Sequence, residues 1–168
     1  MRLSPRQRKW SLILAELLVF LVLYLGLRAY MQRDMADGPA PPLAGTSLTG
    51  EPLSLEDYRG RPVLVHFWAS WCSVCRLEQD GVQAVAADWP VLSVALQSGS
   101  AAEVRAYLQE HGLTWDTLND PDGSLARRFG VYGVPASFIV DADGRIRFHE
   151  RGYTSSWGLR ARLWLAGR

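Results

Sequence analysis

Cys72 and Cys75 are the only cysteines in a chain of 168 residues, and they stand three apart in Trp71-Cys72-Ser73-Val74-Cys75. The pair has only itself to bond within the chain, so there is no disulfide framework. On a regular helix i,i+3 Cβ atoms lie ~5–6 Å apart and a disulfide needs ~3.5–4.5 Å, a gap that small adjustments at a helix end can close. The pair can therefore open and close reversibly. At a helix amino terminus, free N–H groups and the macrodipole favour an anion. A cysteine there can have its pKa lowered from ~8.5 to between ~3.5 and ~7.5, which makes Cys72 a candidate nucleophile and leaves the deeper Cys75 to resolve. A purely structural disulfide across so short a loop would contribute little. A zinc site normally wants four Cys or His ligands, and no second CxxC or HxxxH is present. Two thiolates still suit a soft ion, so a Cu(I)- or Zn(II)-binding carrier is the alternative from another functional class.

The flanking pattern supplies the helix end that this chemistry needs. Residues 63–68, VLVHFW, are a nearly continuous apolar run of the kind found in central strands buried on both faces. From Cys72 the period changes to Val74, Leu77, Val82 and Val85, and Trp89-Pro90 stops it, so strand, short turn and helix follow one another. Further strands are expected at 91–96, 115–118, 137–140 and 145–149, the last two joined by Asp141-Ala142-Asp143-Gly144. Helices are expected at 101–111, 124–129 and 155–165, the last bearing Trp157, Leu159, Leu163 and Trp164, and a small hairpin at 46–55. This order predicts an α/β sheet with helices on both faces and an antiparallel pair at its end.

Composition narrows the setting. With 48% hydrophobic and 21% charged residues the chain is neither disordered nor polytopic. A net charge of +1, without a basic stripe, gives no reason to expect nucleic acid. That near-neutrality hides a split: Arg2, Arg6, Arg8 and Lys9 precede residue 10 with no acid, while residues 35–168 carry 12 arginines against 15 acids, a net −3. The run SLILAELLVFLVLYLGL at 11–27 is just long enough to span a bilayer, which needs about 17–25 apolar residues. Its basic flank should stay in the cytoplasm, with the rest exported. A cleaved signal peptide is the alternative, but Leu27-Arg28-Ala29-Tyr30 is a poor small-x-small site. The expected organisation is a cytoplasmic tail at 1–10, a transmembrane anchor at 11–29, a Pro-rich linker at 30–42 and a globular domain at 43–168.

From Val63 to Val140 the chain resembles the thioredoxin fold: VLVHFWASWCSVC is similar to its strand, tryptophan and active-site loop, and GVPASFIVDADGRI to its cis-proline segment. Within that fold it resembles the membrane-anchored TlpA/ResA/DsbE group of thiol-disulfide oxidoreductases, in particular the suppressor-of-copper-sensitivity type. The resemblance implies a thioredoxin-like α/β domain with an N-terminal hairpin and a central insertion, preceded by one transmembrane helix. It also implies a periplasmic catalytic domain on the bacterial inner membrane, protein thiol or disulfide substrates, a membrane electron donor of the DsbD/CcdA kind and no organic cofactor. Substrate is expected against Trp71 and a cis Val134-Pro135 bond, although an X-Pro bond by itself is usually trans.

Two further residues are candidates. Glu78, one helical turn after Cys75, matches an active-site glutamate of the group, where it would exchange a proton with Cys75; otherwise it is a solvated helix glutamate. His66 lies six residues before Cys72, where thioredoxin carries a buried aspartate and the group commonly an asparagine. It could relay protons or serve only as a hydrogen-bonded core residue. His111 and His149 read as surface residues.

Overall fold

The computed structural model describes residues 5–168; Arg2 of the basic cluster lies outside the described residues, as do the side chains of Arg6, Arg8 and Lys9. The first element is α1 (Pro5–Gln32). Within it Leu12–Gln32, 21 residues of mean hydropathy 2.2, is long and apolar enough to cross a bilayer.

A separate compact unit spans Asp34–Arg168. Among the described residues its strands are β1 (Gly38–Pro39), β2 (Ala44–Thr46), β3 (Pro52–Ser54), β4 (Val63–Trp68), β5 (Val91–Leu96), β6 (Asp116–Asp120), β7 (Ala136–Val140) and β8 (Arg145–Arg151). Its helices are α2 (Ser73–Ala86), α3 (Ala101–Glu110), α4 (Ser124–Arg128) and α5 (Ser156–Ala166). Six strands form one sheet in the order β1-β8-β7-β4-β5-β6, and β2 pairs with β3 in the expected hairpin. β5 runs parallel to β4 and to β6, whereas β7 and β8 are antiparallel. This is the thioredoxin-like arrangement, with α3 and β6 as the central insertion extending the sheet beyond β5.

Every residue of β4 is buried, because the sheet is covered on both faces. Val63, Val65 and Phe67 enter one core, with Phe129, Phe138, Leu43 and Leu55. Leu64 and Trp68 enter the other, with Val82 and Val85 of α2 and Leu159 and Leu163 of α5. In the first core the rings of Phe67, Phe129 and Phe138 meet at centroid distances of 5.1 to 5.8 Å, a tilted and edge-on cluster.

Polar residues cross the buried sheet in register: Ser137, His66, Ser93 and Thr117 stand side by side on β7, β4, β5 and β6. They satisfy one another. His66 Nδ1 and Ser137 Oγ are 3.0 Å apart, Ser93 and Thr117 hydroxyls 2.8 Å, and the Trp68 indole N–H donates to Ser93 Oγ at 3.1 Å. Buried hydroxyls paired in this way avoid the penalty of an unmade bond.

Three expectations are corrected. The segment read as a free linker with a domain starting near residue 43 is instead part of the compact unit. Met35 is buried in the core, the Ala36 N–H donates to the Phe129 carbonyl at 2.9 Å, and Gly38–Pro39 pairs with Ile146 and Arg145. Proline is tolerated there because β1 is an edge strand, where one N–H is not needed by a neighbour. On α2, Val74 and Leu77 face outward, and the buried stripe is Cys75, Glu78, Val82 and Val85. His111 and His149 are half-buried, the first stacked on Tyr107 at 4.1 Å and the second tilted against Phe138 at 6.3 Å.

Gly130 holds the new amino-terminal boundary. Its φ is +66°, and a Cβ there would run into the Asp34 carbonyl oxygen. Gly130→Ala is expected to lower stability by roughly 2 kcal/mol or more, from the left-handed backbone and the displaced Asp34–Met35 segment together. Urea unfolding would check this, and an unchanged midpoint would mean that the segment does not pack as described.

Candidate active site

β4 ends at Trp68, and a tight turn delivers the chain to α2: the Cys72 N–H donates to the Ala69 carbonyl at 3.1 Å. The turn is clamped to the loop after β5. The Ser70 N–H donates to Ser98 Oγ, and the Trp71 indole N–H donates to the Gln97 carbonyl, both at 3.0 Å. Gln97, at φ 46°, is the one non-glycine residue with positive φ among those described. Tethered in this way, the Trp71 ring stands mostly in solvent beside the cysteines.

Cys72 is the N-cap of α2, with an extended φ of −86° and ψ of 112°, and its sulfur accepts the Cys75 N–H at 3.1 Å. A capping side chain normally supplies an oxygen for this donor. Here a sulfur takes that place, at the positive end of a helix of 14 residues. Cys72 and Cys75 are joined as a disulfide, with their Cα atoms 5.3 Å apart. The Val134-Pro135 bond is cis, and the Val134 carbonyl oxygen lies 3.6 Å from Cys72 Sγ. Pro135 is buried and Val134 half-buried, while the Gly152 N–H donates to the Pro135 carbonyl at 2.8 Å.

Glu78 is not a solvated helix residue. Its relative exposure is 1%, because it occupies the apolar stripe of α2 between Cys75 and Val82. One carboxylate oxygen accepts the Thr154 N–H at 3.2 Å; the other, Oε2, is buried without a partner. Burial pushes its pKa up to about 7, and the Thr154 hydrogen bond only partly opposes this. The group is thus poised to gain or lose a proton near neutral pH.

His66 behaves in the opposite way. It is fully enclosed, its ring meets Trp115 edge-on at 5.9 Å, and burial lowers its pKa to about 4, so it is neutral around pH 7. Beneath the disulfide face, Glu78 is the group whose charge changes near neutrality, and His66 is a fixed hydrogen-bonding member of the polar row.

The model of the AhpC/TSA family matches residues 36–149. The chain belongs to the AhpC/TSA family. A thioredoxin-like protein of Haemophilus influenzae is 36% identical over 121 residues, covering 71% of this chain and 72% of the relative. The thiol:disulfide interchange protein DsbE of Pseudomonas fluorescens biotype C is 32% identical over 148 residues, covering 83% of each. The solved structure of MTB DsbF, in mixed oxidized and reduced forms, superposes with a TM-score of 0.68 at 28% identity, over 74% of this chain and 95% of that one.

The structure brings Cys72, Cys75, Trp71, Val134, Pro135 and Glu78 together and places His66 in the sheet. Sequence reasoning missed Thr154, whose backbone holds Glu78 from 76 residues away, and the Gln97–Ser98 clamp. No local signal reports either one. The burial of Glu78 did carry a signal, because it falls at helical spacing between Cys75 and Val82.

The displaced carboxyl has a consequence for stability. Unfolded, Glu78 ionises near 4.5; folded, it holds its proton up to about 7. The folded state therefore binds more protons between those values, so the stabilisation is complete below the lower value and is lost as pH rises through the upper one. Between pH about 4.5 and about 8 the native chain is expected to lose up to ~3 kcal/mol relative to Glu78→Gln. Urea titrations at a series of pH values would test it, and parallel stability curves for the two proteins would contradict it.

Proposed function

We infer that this protein is a membrane-tethered thiol-disulfide oxidoreductase that exchanges disulfides with partner proteins outside the cytoplasm. The observation that carries the reading is the Cys72-Cys75 disulfide capping α2, with a partnerless buried carboxylate oxygen of Glu78 one turn further along. The names of its thiol:disulfide interchange relatives agree with it.

In the reduced protein, Cys72 thiolate attacks one sulfur of a partner disulfide. A bond forms between Cys72 Sγ and that sulfur, and the partner's second sulfur leaves as a thiolate. Cys75, having lost its proton, then attacks Cys72 Sγ. The intramolecular disulfide re-forms, the partner's first sulfur is released, and two electrons have passed to the partner. Run backwards, the same steps oxidise a partner dithiol. The Cys75 N–H and the α2 dipole stabilise the Cys72 thiolate. Glu78 Oε2 is the proposed acceptor for the Cys75 proton during resolution, and His66 supports the sheet beneath as a neutral hydrogen-bonding group.

Trp71 and the Val134-Pro135 backbone form the proposed surface for the partner chain. Electrons would reach the pair from a membrane donor of the DsbD/CcdA kind. Among the described residues no group of three or more His, Cys, Asp or Glu side chains converges to hold a metal ion. Localisation is proposed from α1 and the amino-terminal bases: a single span in the inner membrane, retained uncleaved, with Asp34–Arg168 in the periplasm.

Cys75→Ser is expected to accumulate thiol-sensitive mixed disulfides through Cys72, whereas Cys72→Ser accumulates few, and in stopped-flow reduction of insulin Glu78→Gln slows resolution more than formation. Equal trapping by both cysteine variants would defeat the assigned roles, and equal slowing of both steps would remove Glu78 from proton transfer. An alkaline phosphatase reporter, which becomes active only after export, should be active when joined after Arg168; an intact but inactive fusion would overturn the topology.

A further inference from the structure

The loop from Gly130 to Pro135 brings the Val134 carbonyl oxygen within 3.6 Å of Cys72 Sγ. It follows α4, which ends at Arg128, and enters β7 at Ala136. Two consecutive residues at the end of β8 hold both of its ends. At the first, the Gly130 carbonyl accepts from Arg151 Nη2 at 3.2 Å. At the second, the Pro135 carbonyl accepts from the Gly152 N–H at 2.8 Å. Arg151 is itself fixed by the sheet, because it stands opposite Ala136 in the β7–β8 pair. Pinning both ends removes backbone freedom that the loop would otherwise lose when a partner binds.

The two bonds differ in kind. The Gly152 donor is backbone, which any residue except proline would supply, whereas the Arg151 donor is a side chain. Arg151 is half-buried, and its Nε is buried with no hydrogen-bond partner among the described residues. An N–H taken out of water without a partner is costly. Methionine or leucine would cover the end of the sheet without that cost, so packing does not account for an arginine here. What the guanidinium supplies is the donor to Gly130. The start of the loop is already tied to α4, since the Val131 N–H donates to the Ala126 carbonyl at 2.9 Å and Val131 is buried in the core. Arg151 adds a second tie, to the strand end that also holds Pro135.

We propose that Arg151 is a positioning residue for partner binding: through the Gly130 carbonyl, its guanidinium fixes the loop whose Val134 backbone meets the partner chain. This rests on the reading of Val134-Pro135 as part of the partner surface. The groups that serve the sulfurs are held without Arg151, by the Cys75 N–H on Cys72 and the Thr154 N–H on Glu78. Loss of the guanidinium is therefore felt by a disulfide that carries a peptide backbone and not by one that carries none.

The test uses the reduced full chain in detergent micelles and two disulfides that share one leaving group. One is the peptide acetyl-Ala-Ala-Cys-Ala-Ala-amide activated as its 2-pyridyl disulfide; the other is methyl 2-pyridyl disulfide. In each, Cys72 thiolate attacks the sulfur of the peptide or methyl group, a disulfide forms to that sulfur, and 2-thiopyridone leaves with the bonding electrons. Its absorbance gives the rate, which is divided by the rate of dithiothreitol with the same disulfide. The native chain should prefer the peptide. Arg151→Met should lower the peptide rate by roughly three- to tenfold, the range of one net hydrogen bond, and the methyl rate by less than about twofold. Arg151→Lys, whose ammonium is one bond short of Nη2 and can still donate, should recover most of the peptide rate. Arg151→Gln, two bonds short, takes the place of the methionine variant if that chain does not fold. Equal loss on both disulfides, no loss on the peptide, or no recovery by lysine overturns the proposal while leaving the partner surface as read. A native chain with no preference for the peptide overturns the partner surface and this proposal together.

Discussion

A single hydrogen bond organises the chemistry of this protein: the Cys75 N–H donates to Cys72 Sγ at the first turn of α2. That donor is one of the backbone groups that every helix leaves unpaired at its amino terminus. Using sulfur as the cap makes Cys72 Sγ part of the helix terminus, so its surroundings depend on where that terminus is held. The rest of the fold fixes the direction of α2. Val82 and Val85 pack it on the sheet, Leu159 and Leu163 of α5 share the same core, and the Ala69–Trp71 turn is bound to the loop after β5. A shift in any of these would move the donor relative to the sulfur.

The same burial that fixes α2 displaces two titratable groups in opposite senses. Glu78 is carried into the core by its place on the helix stripe and holds its proton up to about 7; His66 is carried in by the alternation of β4 and stays neutral down to about 4. Desolvation disfavours the charged form of each. The two differ in hydrogen bonding. His66 has Ser137 as a neutral partner and is built into a row that crosses the sheet, whereas Glu78 keeps one oxygen without a partner. A buried group with an unmet oxygen carries a cost that a resting structural role does not repay, which is what the proposed proton exchange with Cys75 draws on.

Much of this is legible in the amino-acid sequence. An apolar run followed by a change of period announced β4, the turn and α2, because a strand buried on both faces and a helix with one buried stripe leave different periods in the sequence. The CxxC pair stood at the junction, and its chemistry follows from the helix terminus. The face of α2 was harder to read. Val74 and Leu77 are as apolar as Val82 and Val85, yet they lie outside, because Cys75 and Glu78 take the inward positions. Hydrophobicity alone ranks a glutamate last for such a place.

By itself the sequence determined the order of elements, the reactive pair and the span-length apolar segment, since each depends on residues close together in the chain. Tertiary structure alone decided what meets across long separations. It set the Thr154 backbone on the Glu78 carboxylate, Ser137 on His66, the Val134 carbonyl beside Cys72, and the residues around Met35 against Gly130. The linker misreading has the same origin: proline and glycine at 38–42 forbid a helix or a central strand, but whether such a segment hangs free or lies on a sheet edge depends on Phe129, Gly130 and β8. Those residues are about a hundred positions away, and local propensity carries no record of them.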